Sequence, residues 1–336
     1  MKTILIVDDN ETNIDNLMAL LEDKYDLLAA IDGESAIELL EEEKVDLILL
    51  DIMMPGIDGF ETCKRIKDNP KLKNIPIIFI TAKTDEDSIE KAYEVGGVDY
   101  ITKPFRSREV LSRISNHLAL SEQHHHLEHL VAQRTKELQN TQNEIIYLLG
   151  LVGECRSRET GNHVKRVGKY SEILALAYGF DEKEAKIIGE LAQMHDLGKV
   201  AIPDAILNKP GRFTDEEFER MKKHSDFGYI ILNKSKRDLL KKAAIIAHQH
   251  HEKWNGKGYP RGLKGEQIHI YGRIVAIADV FDALGSERVY KPAWSDEEII
   301  QLFKEERGES FDPKLVDLFF ENIDKFYKVR EELKDH

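Results

Sequence analysis

Glu190-Leu191-Ala192-Gln193-Met194-His195-Asp196-Leu197-Gly198-Lys199 is the stretch around which the rest of the chain is organised. Leu191, Met194 and Leu197 recur at helical spacing, which predicts a buried helix ended by Gly198. Buried helices rarely carry an imidazole beside a carboxylate without a partner, because an unpaired charge in a core costs several kcal/mol. A divalent cation is the simplest partner. On a helix, His195 and Asp196 sit about 100° apart, so both can lean towards one ion while the carboxylate reaches a second.

Working outward, the same chemistry recurs. Upstream, Glu159 and His163 stand one helical turn apart on one face. Downstream come His224, then His250-His251-Glu252, then Asp279. Each falls in or beside an apolar helical run, where a structural histidine needs a hydrogen-bond partner of its own. One such residue alone would read as an ordinary core histidine. The whole set, in this order, reads as a metal centre.

From about 150 to 330 the chain resembles the HD-GYP domain, a subgroup of the HD phosphohydrolases that resembles cyclic di-GMP phosphodiesterases. The matching residues are His195-Asp196 within the run to Pro203, the run His250 to Gly258-Tyr259-Pro260, and Asp279 to Leu284 followed by Arg288, Tyr290 and Lys291; Phe311-Asp312-Pro313 closes the pattern. The resemblance implies that Asp196 bridges two metals, that His195 and Asp279 bind one, and that His224, His250 and His251 bind the other. Glu159 and His163 then complete the first metal's shell or hold a third ion. Lys199, Arg288 and Lys291 match the family's phosphate-contacting cations. Trp254 and Tyr259 are aromatics that stack on a guanine or else pack the loop, and Glu252 is expected to orient His250 or His251. Asp282, one turn beyond Asp279, orients a ligand or serves structure. Imidazole with carboxylate and no thiolate suits Fe or Mn better than Zn or Ni.

With 336 residues there is room for two or three compact units. Charged residues make up 33% and hydrophobic residues 41%, as in a soluble protein, and no apolar run approaches membrane-spanning length. The start runs directly into a strand rather than a signal peptide, and Cys63 and Cys155 fall in different expected domains, so a reducing cytoplasm is the expected compartment. A net charge of −14 argues against non-specific nucleic-acid binding. It does not exclude an anionic substrate, since metals and local cations set the field inside a site.

Residues 3–7, 26–30, 45–50, 75–80 and 98–102 are apolar or β-branched runs separated by amphipathic helical patterns, which predicts a doubly wound, five-stranded parallel sheet. Chemistry in that architecture gathers at the carboxyl ends of the strands. Those ends carry Asp8-Asp9, Asp51, Thr81 and Lys103. Three converging carboxylates need a cation, and hard oxygen ligands favour Mg²⁺. Residues 1–120 resemble a response-regulator receiver domain of flavodoxin-like fold. The resemblance implies that Asp51 is the phosphoacceptor, that Asp8, Asp9 and Asp51 hold Mg²⁺, that Thr81, Tyr100 and Lys103 form the switch, and that Lys103-Pro104 is a cis peptide.

Residues 107–149 lack proline and glycine; Val131, Leu138, Ile145 and Val152 repeat every seven residues, with Leu120, Leu127 and Leu148 on a second seam. This predicts a parallel coiled coil over 121–150 and a homodimer, with an imperfect seam at Arg134 and Thr141. His124-His125-His126 reads as solvated. After 150, helical periods at 163–178, 182–197, 214–233, 236–252, 267–285 and 296–307 predict an almost all-α unit over 151–330.

The expected function is a receiver-controlled, metal-dependent phosphodiesterase opening cyclic di-GMP to pGpG or GMP. Its expected partner is a sensor histidine kinase. Alternatives are hydrolysis of cyclic GMP-AMP, or a non-catalytic scaffold that binds diguanylate cyclases through the Gly-Tyr-Pro loop.

Overall fold

The computed structural model describes residues 1–82, 86–156, 161–286 and 293–335. The chain forms two compact units, Met1–Thr135 and Lys136–His336.

In the first unit, strands β1 (Thr3–Val7), β2 (Asp26–Ala30), β3 (Leu47–Asp51), β4 (Ile77–Thr81) and β5 (Asp99–Thr102) form one parallel sheet in the order β2-β1-β3-β4-β5. Helices α1 (Glu11–Leu21), α2 (Gly33–Glu42), α3 (Gly59–Asp68) and α4 (Glu86–Glu94) connect them. Alternation along each strand sorts the side chains. Leu5, Val7, Ile48, Leu50 and Phe79 pack with Ala36, Leu40, Phe60 and Ile66 on one face. Ile4, Ile6, Leu47, Leu49 and Ile80 pack with Ile14, Leu17, Val110 and Ile114 on the other. Both faces are covered, so the inner strands β1, β3 and β4 read as nearly unbroken apolar runs. Strands β3 and β4 end on Asp51 and Thr81 themselves, one residue later than the apolar pattern suggests.

Helix α5 (Ser107–Glu154) is continuous through the stretch expected as a linker and belongs to both units. Leu120, Leu127, Val131, Leu138, Ile145, Leu148 and Val152 are exposed along it.

The second unit is built from α6 (Gly161–Tyr178), α7 (Glu182–Ala192), α8 (Asp204–Leu207), α9 (Asp215–Asn233), α10 (Asp238–Gln249), α11 (Ile270–Gly285), α12 (Asp296–Glu305), α13 (Pro313–Glu321) and α14 (Ile323–Glu332). Its core gathers Tyr170 and Leu174, Ile188 and Leu191, Ile246, Ile274 and Ile277, and the aromatics Phe281, Phe303, Phe319 and Phe326. Burying one such side chain contributes roughly 1.5–3 kcal/mol.

The buried helix does not run through to Gly198: α7 ends at Ala192, and a turn carries His195-Asp196 into a 3₁₀ segment, Leu197–Ala201. The amides of Met194 and His195 reach back three residues, to the carbonyls of Leu191 and Ala192. Gly198 therefore does not cap a helix; it allows a close approach. A Cβ there would lie 1.9 Å from the His224 carbonyl oxygen, so only glycine lets α9 bring His224 beside Asp196.

Candidate functional site

Three segments, the turn after α7, helix α9 and the end of α10, deliver imidazoles to one carboxylate. Asp196 Oδ1 lies 3.1 Å from His224 Nε2 and 3.6 Å from His250 Nε2, while Oδ2 lies 3.3 Å from His195 Nε2 and 2.7 Å from Lys199 Nζ. His251 joins through its ring, 4.0 Å from that of His250 and 5.0 Å from that of His224. Asp196, His224, His250 and His251 each offer a ligand atom within 4.8 Å of the others.

The backbone sets which nitrogen faces inward. His195 Nδ1 is 2.8 Å from the Ala192 carbonyl, His224 Nδ1 is 2.7 Å from that of Met221, and His250 Nδ1 is 3.1 Å from that of Ala247. A carbonyl only accepts, so each Nδ1 donates and each Nε2 is presented to the centre. His163 on α6 is held differently: its Nδ1 lies 2.8 Å from Asp282 Oδ2. Asp282 in turn accepts from Arg166 Nε at 2.6 Å and Nη2 at 2.9 Å. Asp282 thus orients a site imidazole. The His163 Nε2 side faces Asp279, whose Oδ1 is 3.9 Å from it and 3.8 Å from His195 Nε2.

Burial and charge oppose each other across the cluster. Burial alone would push the His195 imidazole down, but Asp196, with help from Asp279, outweighs it and raises it to about 10. Burial would raise Asp196, yet Lys199, His195 and His224 hold its carboxyl well below the usual range. His250 is pushed down by burial against the pull of Asp196, and His251 much further, by burial and then by His250 and His224. His195 Nε2, His250 Nε2 and Asp196 Oδ1 are buried without a hydrogen bond. Leaving such groups unsatisfied costs about 1–3 kcal/mol each. Inward Nε2 atoms around a shared carboxylate are the donor set a divalent cation takes, so these residues fit a metal centre.

The loop after α10 is shaped by Glu252, and here the sequence reading is corrected. Its buried carboxylate does not orient His250 or His251; it accepts the amides of Arg261 at 2.8 Å and Leu263 at 2.9 Å, folding the loop back on itself. The Tyr259-Pro260 peptide is cis. Tyr259 lays its ring 4.7 Å from that of His251, and burial and the nearby acids push its phenol up. Trp254 packs under Arg273, 5.6 Å away, and its amide donates to Ser310 at 3.0 Å. It braces the loop.

The structure also brings in a residue the sequence reading passed over. Glu154, the last residue of α5, is 1% exposed and groups with His163 and His195 within 4.8 Å. The spacing Gly150-x-x-Gly153 just before it was the available signal, because small residues one turn apart permit close backbone approach. Glu159, Arg288, Tyr290 and Lys291 lie outside the described residues.

In the first unit, Asp8, Asp9 and Asp51 offer ligand atoms within 4.8 Å of one another. Lys103 Nζ bridges Asp8 Oδ2 at 2.8 Å and Asp51 Oδ1 at 2.9 Å. Burial raises the Asp51 carboxyl despite Lys103. Thr81 is buried at the end of β4, the Lys103-Pro104 peptide is cis, and Tyr100 on β5 lies 5.5 Å from the Arg113 guanidinium. His124 and His125 are exposed and face Glu128 on their own helix.

Comparison with known proteins agrees with both units. The response regulator receiver domain model matches residues 4–115 and the HD domain model matches residues 126–315. A Vibrio cholerae protein named "Probable cyclic di-GMP phosphodiesterase" is 38% identical, over 99% of this chain and 80% of its own length. The cyclic di-GMP phosphodiesterase response regulator RpfG of Xanthomonas campestris is 39% identical, over 94% of this chain and 86% of its own. The 3'3'-cGAMP-specific phosphodiesterase 2 of Vibrio cholerae is 41% identical, over 81% of this chain and 51% of its own.

Proposed function

Because this chain belongs to the HD-domain family, in the branch of response regulators with a receiver domain, we propose that it is a metal-dependent phosphodiesterase hydrolysing cyclic di-GMP. The observation that carries this reading is the Asp196 carboxylate set among three inward Nε2 atoms and the Lys199 ammonium. Asp196 would bridge two cations. His195, His163 and Asp279 would serve one, with Glu159 completing its shell or helping to hold a third, and His224, His250 and His251 would serve the other. Iron or manganese suits this nitrogen–oxygen donor set. Such cations supply Lewis acidity and a nucleophile at neutral pH.

The chain's own residues supply the rest. Lys199, 2.7 Å from Asp196, offsets charge that develops on the phosphate. Arg288 and Lys291 bind the substrate's phosphates. Tyr259, lying against His251, bounds the site on the loop side and offers a face to a guanine. Product is pGpG, or GMP after a second cut.

In the receiver, Asp51 takes a phosphoryl group from a sensor histidine kinase, with Mg²⁺ held by Asp8, Asp9 and Asp51. Thr81, Tyr100 and Lys103 respond to it. The exposed heptad residues of α5 support a homodimer through a parallel coiled coil. Diguanylate cyclases would be further partners, met through the Gly-Tyr-Pro loop.

A second reading is supported by cGAMP-specific relatives, since metal and phosphate contacts serve either cyclic dinucleotide. The test of the leading reading strips the metals with chelator and restores Fe²⁺, Mn²⁺ or Zn²⁺ separately. Cyclic di-GMP conversion should vanish and return with Fe²⁺ or Mn²⁺. Conversion that survives chelation would overturn it.

A further inference from the structure

Glu154 has no part in the family pattern quoted above, yet it is one of the most deeply buried acids in the second unit. Both its oxygens face one ammonium: Lys199 Nζ donates to Oε2 at 3.0 Å and to Oε1 at 3.2 Å, while also lying 2.7 Å from Asp196 Oδ2. Lys199 is therefore clamped between two carboxylates. One belongs to the metal cluster and the other to the end of α5.

The neighbours of Glu154 grip the same segment. A Cβ on Gly150 would lie 2.2 Å from the Gln193 carbonyl, and one on Gly153 would lie 2.9 Å from that of Asp196, so α5 packs backbone to backbone on the turn carrying His195-Asp196. Beyond the helix, Arg156 donates from Nη1 to the Val200 carbonyl at 2.5 Å and from Nη2 to that of Ile202 at 3.0 Å and to Asp204 Oδ1 at 2.7 Å. Residues 193–204 are thus held along their length by the last turn of α5 and the residues just after it.

We propose that Glu154 is a positioning residue of the catalytic centre: it fixes the Lys199 ammonium at the Asp196 side of the site, and it makes the axial setting of α5 a determinant of turnover. This deepens the phosphodiesterase reading and rests on it. A lysine has three soft torsions beyond its Cβ and would otherwise sample several orientations. A second buried carboxylate opposite Asp196 removes that freedom, and a side chain held in one geometry contributes most where charge develops. Because Glu154 closes a helix whose other end lies in the receiver unit, a shift of that helix along or about its axis moves the clamp on Lys199.

The test uses the full chain loaded with manganese, comparing wild type with Glu154→Gln, which keeps the shape, and Glu154→Asp, which keeps the charge. Metal per chain, kcat and KM are measured on cyclic di-GMP and on bis(p-nitrophenyl) phosphate. Acylation of Lys199 is followed by mass spectrometry. The Gln variant should keep its metal, lose about 10–100-fold in kcat with KM changed by less than about 3-fold, and expose Lys199 to faster acylation. The Asp variant should recover part of both. Unchanged kcat and unchanged Lys199 acylation would overturn the proposal, and so would loss of metal in the Gln variant, which would make Glu154 a ligand instead. Wild-type hydrolysis of bis(p-nitrophenyl) phosphate without cyclic di-GMP hydrolysis would overturn the substrate reading alone. If neither is hydrolysed, the phosphodiesterase reading falls, and Lys199 acylation still decides the role of Glu154.

Discussion

Asp196→Asn keeps the shape of the side chain and removes its charge, which makes it the sharpest probe of the metal centre. In the protein this carboxylate is 7% exposed and lies within 3.3 Å of Lys199, His224 and His195. Removing one member of a buried, hydrogen-bonded charge cluster costs about 3–5 kcal/mol. Lys199 keeps its second carboxylate, Glu154, so no ammonium is stranded and the fold should persist. The loss then falls on the cations. At 1.4 kcal/mol per tenfold it amounts to roughly 10²–10⁴-fold weaker retention. Elemental analysis after gel filtration should show at least one ion fewer per chain than wild type. Conversion of cyclic di-GMP, read by chromatography, should fall by about 10²-fold or more. Circular dichroism should stay at the wild-type helical signal. Full metal content with turnover within about 3-fold of wild type would refute the bridging role of Asp196.

Arg288→Ala or Lys291→Ala should cost roughly 1–3 kcal/mol in kcat/KM without changing metal content, as expected for a lost charged hydrogen bond. Unaltered kinetics on cyclic dinucleotides would move the phosphate contacts elsewhere. Gly198→Ala forces a methyl group to 1.9 Å from the His224 carbonyl, and the backbone shift should destabilise the second unit by about 1–3 kcal/mol or more, seen as a lowered thermal transition. An unchanged transition would mean the segment yields freely. Deleting residues 128–134, one heptad of α5, turns the helix phase by only about 20°, whereas deleting 128–132 turns it by roughly 140°. The first deletion should keep a rate response to a small-molecule phosphodonor and the second should lose it, with Asp51→Asn as the unresponsive control. Equal responses would point to flexible tethering.

What the sequence made legible, and what it hid, follows from which forces it records. The sheet was legible because strands buried on both faces need unbroken apolar residues, and the chain has them at 4–7, 47–50 and 77–80. The candidate site was legible as a set of donors, because histidines beside apolar helical runs demand partners. Where α7 stops was hidden. Met194 and Leu197 continue its apolar period past Ala192 with no glycine or proline to interrupt it, and they stay buried in the turn that follows. Glu154 was hidden for a similar reason: a glutamate after a run of helix formers normally faces water, and the approach of Lys199 helps to make its burial tolerable. Glu252 looked like a partner for the histidines it follows, but a buried carboxylate serves whichever amides close on it. Here those are Arg261 and Leu263, brought round by the loop. The helix at Pro313 was within reach, since Asp312 as N-cap with proline at the first helical position is a start signal in its own right.

Whether the Asp196 cluster opens a cyclic dinucleotide with metal help is decided by initial rates on cyclic di-GMP and 3'3'-cGAMP with protein of known metal content. Linear product should form from cyclic di-GMP with a kcat/KM at least about 10-fold above that for cGAMP, and Asp196→Asn should form none. Metal-replete wild-type protein that leaves both cyclic dinucleotides intact would contradict it.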